Sequence, residues 1–408
     1  MKNVIFVAPY FMDATERFIA AATSVPAARV GLVSCDPVEK LAPELRQRLA
    51  GHHRVEGIRT AQLAQGVRAL ASQLGSADRL LGMLEQIQVS LGEIRDQMQI
   101  PGMGATAAAN FRDKSQMKDV LRAAGVPCAR HQLVENVAAG TTFAQRVGYP
   151  VVVKPPAGAG ARGIYRCENP DSLADCLQTL DAHIDNPILV EEFIQGQEHS
   201  FDSICVDGKL VWSSISHYFP GPLEVVREPW IQWCVIIPRE THAQRYQPIH
   251  AVAEPALKAL GMQTGLSHME WFRRDDGSIA ISEVGARPPG AQFTSLISYA
   301  HDFDLYKAWA HLMIHNHFEA RERKYAAGAA YLRGMGPGRV RHVHGLADIA
   351  RSLGELVVDS RIPEPGQPAS STYEGEGFII VRHPETRVVE EALRRIITNV
   401  KVEMSQAT

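Results

Sequence analysis

Six cysteines are scattered over the chain and no two form a CxxC pair, so the sequence offers neither a disulfide framework nor a thiolate zinc site and suits a reducing compartment. No apolar run reaches the length of a membrane-spanning helix, so no membrane role is expected. Charge of one sign is also missing. The net charge is -3 over 408 residues, and no global basic field would recruit nucleic acid or anionic lipid. The apolar start "MKNVIFVAPYF" lacks a basic n-region and a small-residue cleavage site, and Pro9 and Asp13 follow it closely, so it reads as a first strand rather than a signal peptide. Neither internal repeats nor low-complexity segments occur. These absences leave an ordinary soluble globular protein, expected in the cytoplasm.

What is present fits that class. With 45% hydrophobic residues and a length that allows two to four domains, the chain can bury real cores. Over roughly the first hundred residues apolar strand-like runs (VIFVAP, ARVGLVS, RLLGML) alternate with helical segments at 13–23 and 85–98, the pattern of a parallel α/β domain. "YPVVVKPP" reads as a strand closed by Lys154. Residues 303–317 and 386–398 read as helices, and the segment from 326 as short strands with glycine-rich turns.

The segment "LSHMEWFRRDDGSIAISEVGARPPG", Leu266 to Gly290, poses a problem. Asp276-Gly277 is a strong hairpin signal, with both residues at the centre of a type I′ turn. That turn pairs Asp275 with Ser278 and Phe272 with Ile281, and sets Glu270 opposite Glu283. Like charges directly opposed on a sheet repel. Apolar residues on both faces, among them Met269, Trp271, Ile281 and Val284, suggest that the hairpin is covered on both sides. A covered carboxylate pair needs a cation or a shared proton. Mg²⁺ suits two hard oxygen ligands. A register slip, or one glutamate reaching solvent, is the structural alternative.

Two further segments carry chemistry. In "KPPAGAGARGIYR", Gly158, Gly160 and Gly163 would let backbone N–H groups face an anion, with Lys154 as a compact cation beside them. The segment is neither a Walker A loop nor a dinucleotide fingerprint, and such a loop on its own is more often a plain turn. In "LVEEFIQGQEHSFD", Glu191 and Glu192 end an apolar strand and Glu198 follows a glycine turn. This is either a charged strand end or a hinge holding a purine, with backbone groups of Glu192 and Ile194 on the base and Glu198 on the ribose.

Taken together, Lys114 in "RDKSQMKDVLRAAGVP", Lys154 with the GAGARG loop, "VEEFIQGQE", and Glu270 with "SEVGARPPG" resemble, in order and spacing, the ATP-grasp superfamily, over about residues 1–325. The tail from 326 resembles the C-terminal subdomain of bacterial L-amino-acid ligases and, more distantly, of biotin carboxylase. The resemblance implies an ATP-grasp fold of the α/β (α+β) class. Its expected parts are an N-terminal parallel α/β domain (1–105), a small lobe with the phosphate loop (106–195), a large lobe with the metal hairpin (196–325) and a C-terminal β-rich subdomain (326–408).

It further implies an ATP-dependent, ADP-forming ligase that joins a small-molecule carboxylate to an amine through an acyl phosphate. On this basis Lys114, Lys154, Gly158, Gly160, Arg162 and Gly163 would contact phosphates. Glu191, Glu192 and Ile194 would hold adenine, and Glu198 the ribose. Glu270 and Glu283 would bind Mg²⁺ (Mn²⁺ as the substitute), as two ions, and Arg287 the carboxylate or acyl phosphate. Arg227 and His268 are the further candidates for substrate contact, with a structural role for His268 equally open. Gly285 departs from the asparagine that many family members place there, which bears on the second ion. Carboxylation or formyl transfer on a small metabolite, and a nucleotide sensor without catalysis, are the competing readings. A homodimer stays open as its assembly.

Overall fold

The computed structural model describes residues 1–158, 163–227, 231–370, 372 and 374–405, with Val226 and Arg227 described by backbone alone. The described residues form four sheets, a two-stranded one of Val340–His344 with Lys401–Met404 and three larger ones that carry the architecture. The N-terminal sheet is parallel, with Gly51–Arg54, Ala28–Ser34, Lys2–Val7 and Arg79–Leu81 in that spatial order. Its strands are apolar runs because both faces are covered. Ile5, Val7 and Val33 pack beneath the helices Thr60–Leu74 and Gln88–Met98, while Val4, Phe6 and Leu32 face the rest of the molecule. There the rings of Phe6 and Phe18 meet Trp309 at centroid distances of 6.2 and 4.9 Å, which joins this sheet to the helix Leu305–His315.

The second sheet is antiparallel and small, with His131–Val134, Ile188–Glu192, Val151–Lys154 and Tyr165–Cys167 side by side. Helices Val137–Val147 and Pro170–Thr179 cover one face around Phe143, Val153 and Leu173. The third sheet has eight antiparallel strands, running from Ile279–Gly285 at one edge through Gly265–Arg273 and Gln197–Val206 to Val357–Arg361 at the other. Ala326–Leu332 and Gly377–His383 belong to it, so the C-terminal strands extend the sheet that carries the Glu270–Glu283 hairpin. The mixed architecture, parallel at the N-terminus and antiparallel in the large sheet, is that of the expected fold. Among the described residues no helix is long and apolar enough to cross a membrane.

The hairpin has the expected pair but reaches it by another route. Glu270 is opposite Glu283. The turn, however, runs from Arg274 to Gly277, whose N–H donates to the Arg274 carbonyl at 2.9 Å, and Gly277 alone takes a positive φ of 80°. Asp276 is not left-handed; its carboxylate accepts the Ser278 N–H at 2.9 Å. Phe272 therefore pairs with Ala280 and Trp271 with Ile281, one residue away from the two-residue-turn register. A β-bulge between the Trp271–Ile281 and Glu270–Glu283 pairs then restores it. The two departures cancel, and because strand side chains alternate with period two, Glu283 faces the cleft only because of the bulge.

Helix Lys114–Ala123 covers this edge strand. Its start is fixed by Asp113, whose carboxylate accepts the N–H groups of Ser115 and Gln116, both at 2.9 Å. Asp113→Ala should therefore cost about 1 kcal/mol of stability, the usual loss for a helix N-cap. Urea unfolding would measure it; an unchanged midpoint would show that the cap contributes nothing.

Candidate active site

The cleft lies between the small sheet and the open end of the large one. Helix Lys114–Ala123 sends two lysines into it from one face, at i and i+4. Lys114 Nζ lies 2.9 Å from Glu283 Oε1 and donates to the Gly158 carbonyl at 3.2 Å. Its backbone N–H donates to the Pro156 carbonyl at 2.9 Å. Arg112 also donates to the Gly158 carbonyl, at 2.7 Å. The start of the glycine-rich segment is thus held by cations rather than left as a plain turn. Gly163, at the far end, has φ 71°. Gly160 and Arg162 lie outside the described residues, as does the Arg227 side chain.

Lys118, one turn on, is fully buried. Its ammonium lies 2.9 Å from Glu191 Oε1, and Lys154 lies 2.9 Å from the other oxygen of the same carboxylate. Burial favours the neutral form of every member, but the responses differ. Burial pushes Glu191 up, yet Lys118 and Lys154 outweigh it and hold the carboxyl at about 2. Burial lowers Lys154, but Glu191 and Glu283 raise it above the usual lysine value. Burial prevails at Lys118 and lowers it. Glu283, pushed up by burial, is brought below the usual carboxylate value chiefly by Lys114 and Lys154.

Further carboxylates converge on the same space. Burial and the neighbouring Glu270 push Glu198 well above its ordinary value. The Glu198 carboxylate sits over Gly221, where a Cβ would approach it to 3.0 Å. His268 shares a strand with Glu270. Its Nδ1 lies 2.7 Å from Asp202 and its Nε2 3.7 Å from Glu270. Burial lowers its pKa, but Asp202 and Glu270 more than offset this and place it at about 10, so the ring is an imidazolium at neutral pH.

The expected adenine contacts divide. Ile194 is buried with Ala129 and Ala280 against Phe272, and Ala129, Ile194 and Phe272 line the cleft as its apolar side. Glu192 turns its side chain away, pairing with Arg130 at 2.5 Å, and its N–H donates to the Arg130 carbonyl. The Glu191 carboxylate is occupied by the two lysines rather than aimed at that apolar side. Across the cleft stand Tyr218, Trp233 and Phe293, with Tyr218 and Trp233 stacked at 6.1 Å.

Arg287 lines the same cleft and forms an ion pair with Glu85, a buried carboxylate contributed by the N-terminal domain; it also donates to the Pro288 carbonyl at 2.9 Å. A Cβ at Gly285 would stand 3.5 Å from Glu85 and 3.8 Å from Arg287. Both are ordinary contact distances, so a side chain at this position would lie against that ion pair.

Sequence reasoning missed Lys118, Glu85, Asp202 and Arg112. Lys118 had a signal, its i+4 spacing from Lys114. Glu85 had none, because its partner is 202 residues away. Among the described residues no group of three or more His, Cys, Asp and Glu side chains could hold a metal ion. Glu270 and Glu283 nevertheless fit Mg²⁺, which binds through one or two carboxylates completed by substrate phosphates rather than in an all-protein cage.

Residues 147–295 match the ATP-grasp domain family. An L-arginine-specific L-amino acid ligase of Bacillus subtilis is 23% identical over 248 residues, covering 60% of this chain and 59% of that protein. A D-alanine–D-alanine ligase of Geobacillus thermodenitrificans is 29% identical over 206 residues, 46% of this chain and 53% of that protein. The chain thus spans between half and three-fifths of the length of these curated relatives. The crystal structure of an L-amino acid ligase from Bacillus licheniformis superposes with a TM-score of 0.79 at 16% identity, covering 100% of this chain and 99% of that one.

The shared carboxylate makes a pH prediction. A carboxyl depressed to about 2 from 4.5 contributes stability above pH 4.5 that is lost as the pH falls toward 2. The stability difference between the wild type and Glu191→Gln should be level from about pH 5 to 8 and shrink on acidification below that. Denaturant unfolding at a series of pH values measures it, and a difference that grows on acidification would refute the assignment.

Proposed function

We propose that the chain, an ATP-grasp protein, is an ADP-forming carboxylate–amine ligase that joins an amino acid to an amine or to a second amino acid. The observation that carries this reading is the convergence in one cleft of Lys114 and Lys154 beside the glycine-rich loop, the opposed Glu270 and Glu283, and Arg287. On this reading residues 1–105, 106–195, 196–325 and 326–408 act as the pre-ATP-grasp domain, small lobe, large lobe and C-terminal subdomain. The relatives named as amino-acid ligases support amino-acid substrates.

Adenine would lie against the apolar side lined by Ile194 and Phe272, and Glu198 would meet the ribose hydroxyls. Lys114, Lys154 and the N–H groups of the 158–163 loop would hold the phosphates. Glu270 and Glu283 would hold Mg²⁺, which supplies charge neutralisation at the phosphate oxygens. The substrate carboxylate then attacks the γ-phosphorus and ADP departs, giving an acyl phosphate. The amine attacks the acyl carbon, the C–O bond to phosphate breaks, and the amine proton is lost as the amide forms. Charge grows on the acyl and phosphate oxygens in both steps. Arg287 presents a fork that matches them. His268, already protonated, would act there as a donor and not as a base. Cytoplasmic localisation is part of this proposal.

Incubation with ATP, Mg²⁺ and pairs of amino acids should release ADP and phosphate in step with an amide product. AMP and pyrophosphate would overturn the acyl-phosphate route. Arg287→Lys should retain ATP binding and lose roughly 2–4 kcal/mol of transition-state stabilisation, the size of one charge-stabilising donor. Unimpaired ligation by that variant would remove Arg287 from the reaction. Glu283→Gln should reduce turnover by about two orders of magnitude or more while the fold persists. Wild-type turnover would remove the metal role.

A further inference from the structure

Lys118 contacts none of the groups assigned to substrate, yet it is fully buried. Its ammonium donates to the Ser282 carbonyl at 2.6 Å, besides pairing with Glu191 at 2.9 Å. Ser282 is the residue at the bulge, between Ile281 and Glu283 in the paired ladder. A bulge leaves a backbone group without a ladder partner, and such a group needs a donor from elsewhere. Helix Lys114–Ala123 and the turn after it supply that donor, and supply acceptors to two of the strand's N–H groups. The Ile281 N–H donates to the Pro127 carbonyl at 2.8 Å, and the Val284 N–H to Met117 Sδ at 3.2 Å. Lys114 holds the Glu283 carboxylate and Lys118 the preceding carbonyl, so lysines one helical turn apart grip two consecutive residues of the bulged strand.

We propose that Lys118 is a positioning residue that fixes the bulge at Ser282, and with it the inward direction of Glu283, while holding Lys154 in place through Glu191. The phosphate-binding lysine of the small sheet and the second metal-holding glutamate of the large sheet are thereby set relative to one another by a single ammonium. The active-site consequence rests on the ligase reading; the hold on the bulge does not. A charge-assisted bond to the bulge carbonyl opposes the loss of register that would turn Glu283 to the other face. Sharing Glu191 between two cations keeps that carboxylate from neutralising Lys154 alone, so Lys154 stays able to meet a phosphate.

The test is Lys118→Met in the full chain, with hydrogen exchange on the nucleotide-free protein and with ATP titration. Exchange in 279–285 should rise about tenfold or more, while the N-terminal parallel sheet stays as in the wild type. Affinity for ATP should fall by about 10–100-fold, the range typical when a group supporting a metal ligand is removed. A general loss of stability would instead raise exchange across all three sheets and leave the affinity of the folded fraction unchanged, and that result overturns the proposal. Should the single variant fail to fold because Glu191 is left with one partner, Lys118→Met/Glu191→Leu removes both charges. This double variant should fold and still show fast exchange in 279–285 and weak ATP binding. Wild-type exchange and affinity in it would reduce Lys118 to a counter-ion for Glu191 and sink the idea. ATP binding that is absent in the wild type would fail the ligase reading alone, since the exchange comparison still decides whether Lys118 holds the bulge.

Discussion

One buried carboxylate shared by two ammonium groups is what the cleft is built around. Glu191 is nearly sealed from solvent, and Lys118 and Lys154 meet its two oxygens at 2.9 Å each. Moving any one of these ions out of water costs several kcal/mol, and the mutual attraction repays this only when geometry is close and the remaining donors are used. Here the distances are close, and Lys118 in addition donates an N–H to the Ser282 carbonyl. The arrangement therefore couples three segments distant in sequence: the helix after Asp113, the strand ending at Glu192 and the edge hairpin. Removing any partner would leave a buried charge uncompensated, so the cleft is held to one arrangement more strictly than apolar packing alone would require.

That dependence explains which parts of the molecule were readable beforehand. The parallel sheet was legible because its strands are buried on both faces and appear as plain apolar runs, Val4–Val7 and Val30–Val33 among them. Glu270 opposite Glu283 was legible too, but the reasoning behind it used a two-residue turn that the chain does not make. Asp276 prefers to accept its neighbour's amide, Gly277 alone goes left-handed, and the register slips by one residue. The bulge compensates, and nothing in "SIAISEVG" announces it, since its donor, Lys118, lies 164 residues earlier. Local sequence carries turn chemistry well; it carries poorly a carbonyl satisfied from another element.

The same limit governs Glu85. It stands in a short helical turn of the N-terminal domain, and only the closed fold brings it to Arg287 and Gly285. A lone glutamate in "MLEQIQ" has no periodic or motif signature. The fold places it by packing the parallel sheet against Trp309 through Phe6 and Phe18, so a purely apolar contact sets the position of an ionic one. The segment that carries Glu85 is therefore part of the wall of the cleft.

The described cations of the cleft already have anionic partners in the protein alone. Lys114 has Glu283, Lys118 and Lys154 share Glu191, Arg287 has Glu85, and the His268 imidazolium has Asp202. Acidic groups remain in excess where Glu198 and Glu270 approach each other, and burial first, then Glu270, raises the Glu198 carboxyl well above its ordinary value. Such a site is stable without a ligand because its charges are paired, and it favours a ligand that rearranges the pairs in a matched way. An anionic phosphate chain alone would compete with Glu283 and Glu191 for the lysines. Arriving with a divalent cation, it brings a counter-charge for the carboxylates it displaces. Desolvation makes every unpaired charge in this cleft costly, so an anion entering it alone would have to break the pairs that Lys114 and Lys154 already make.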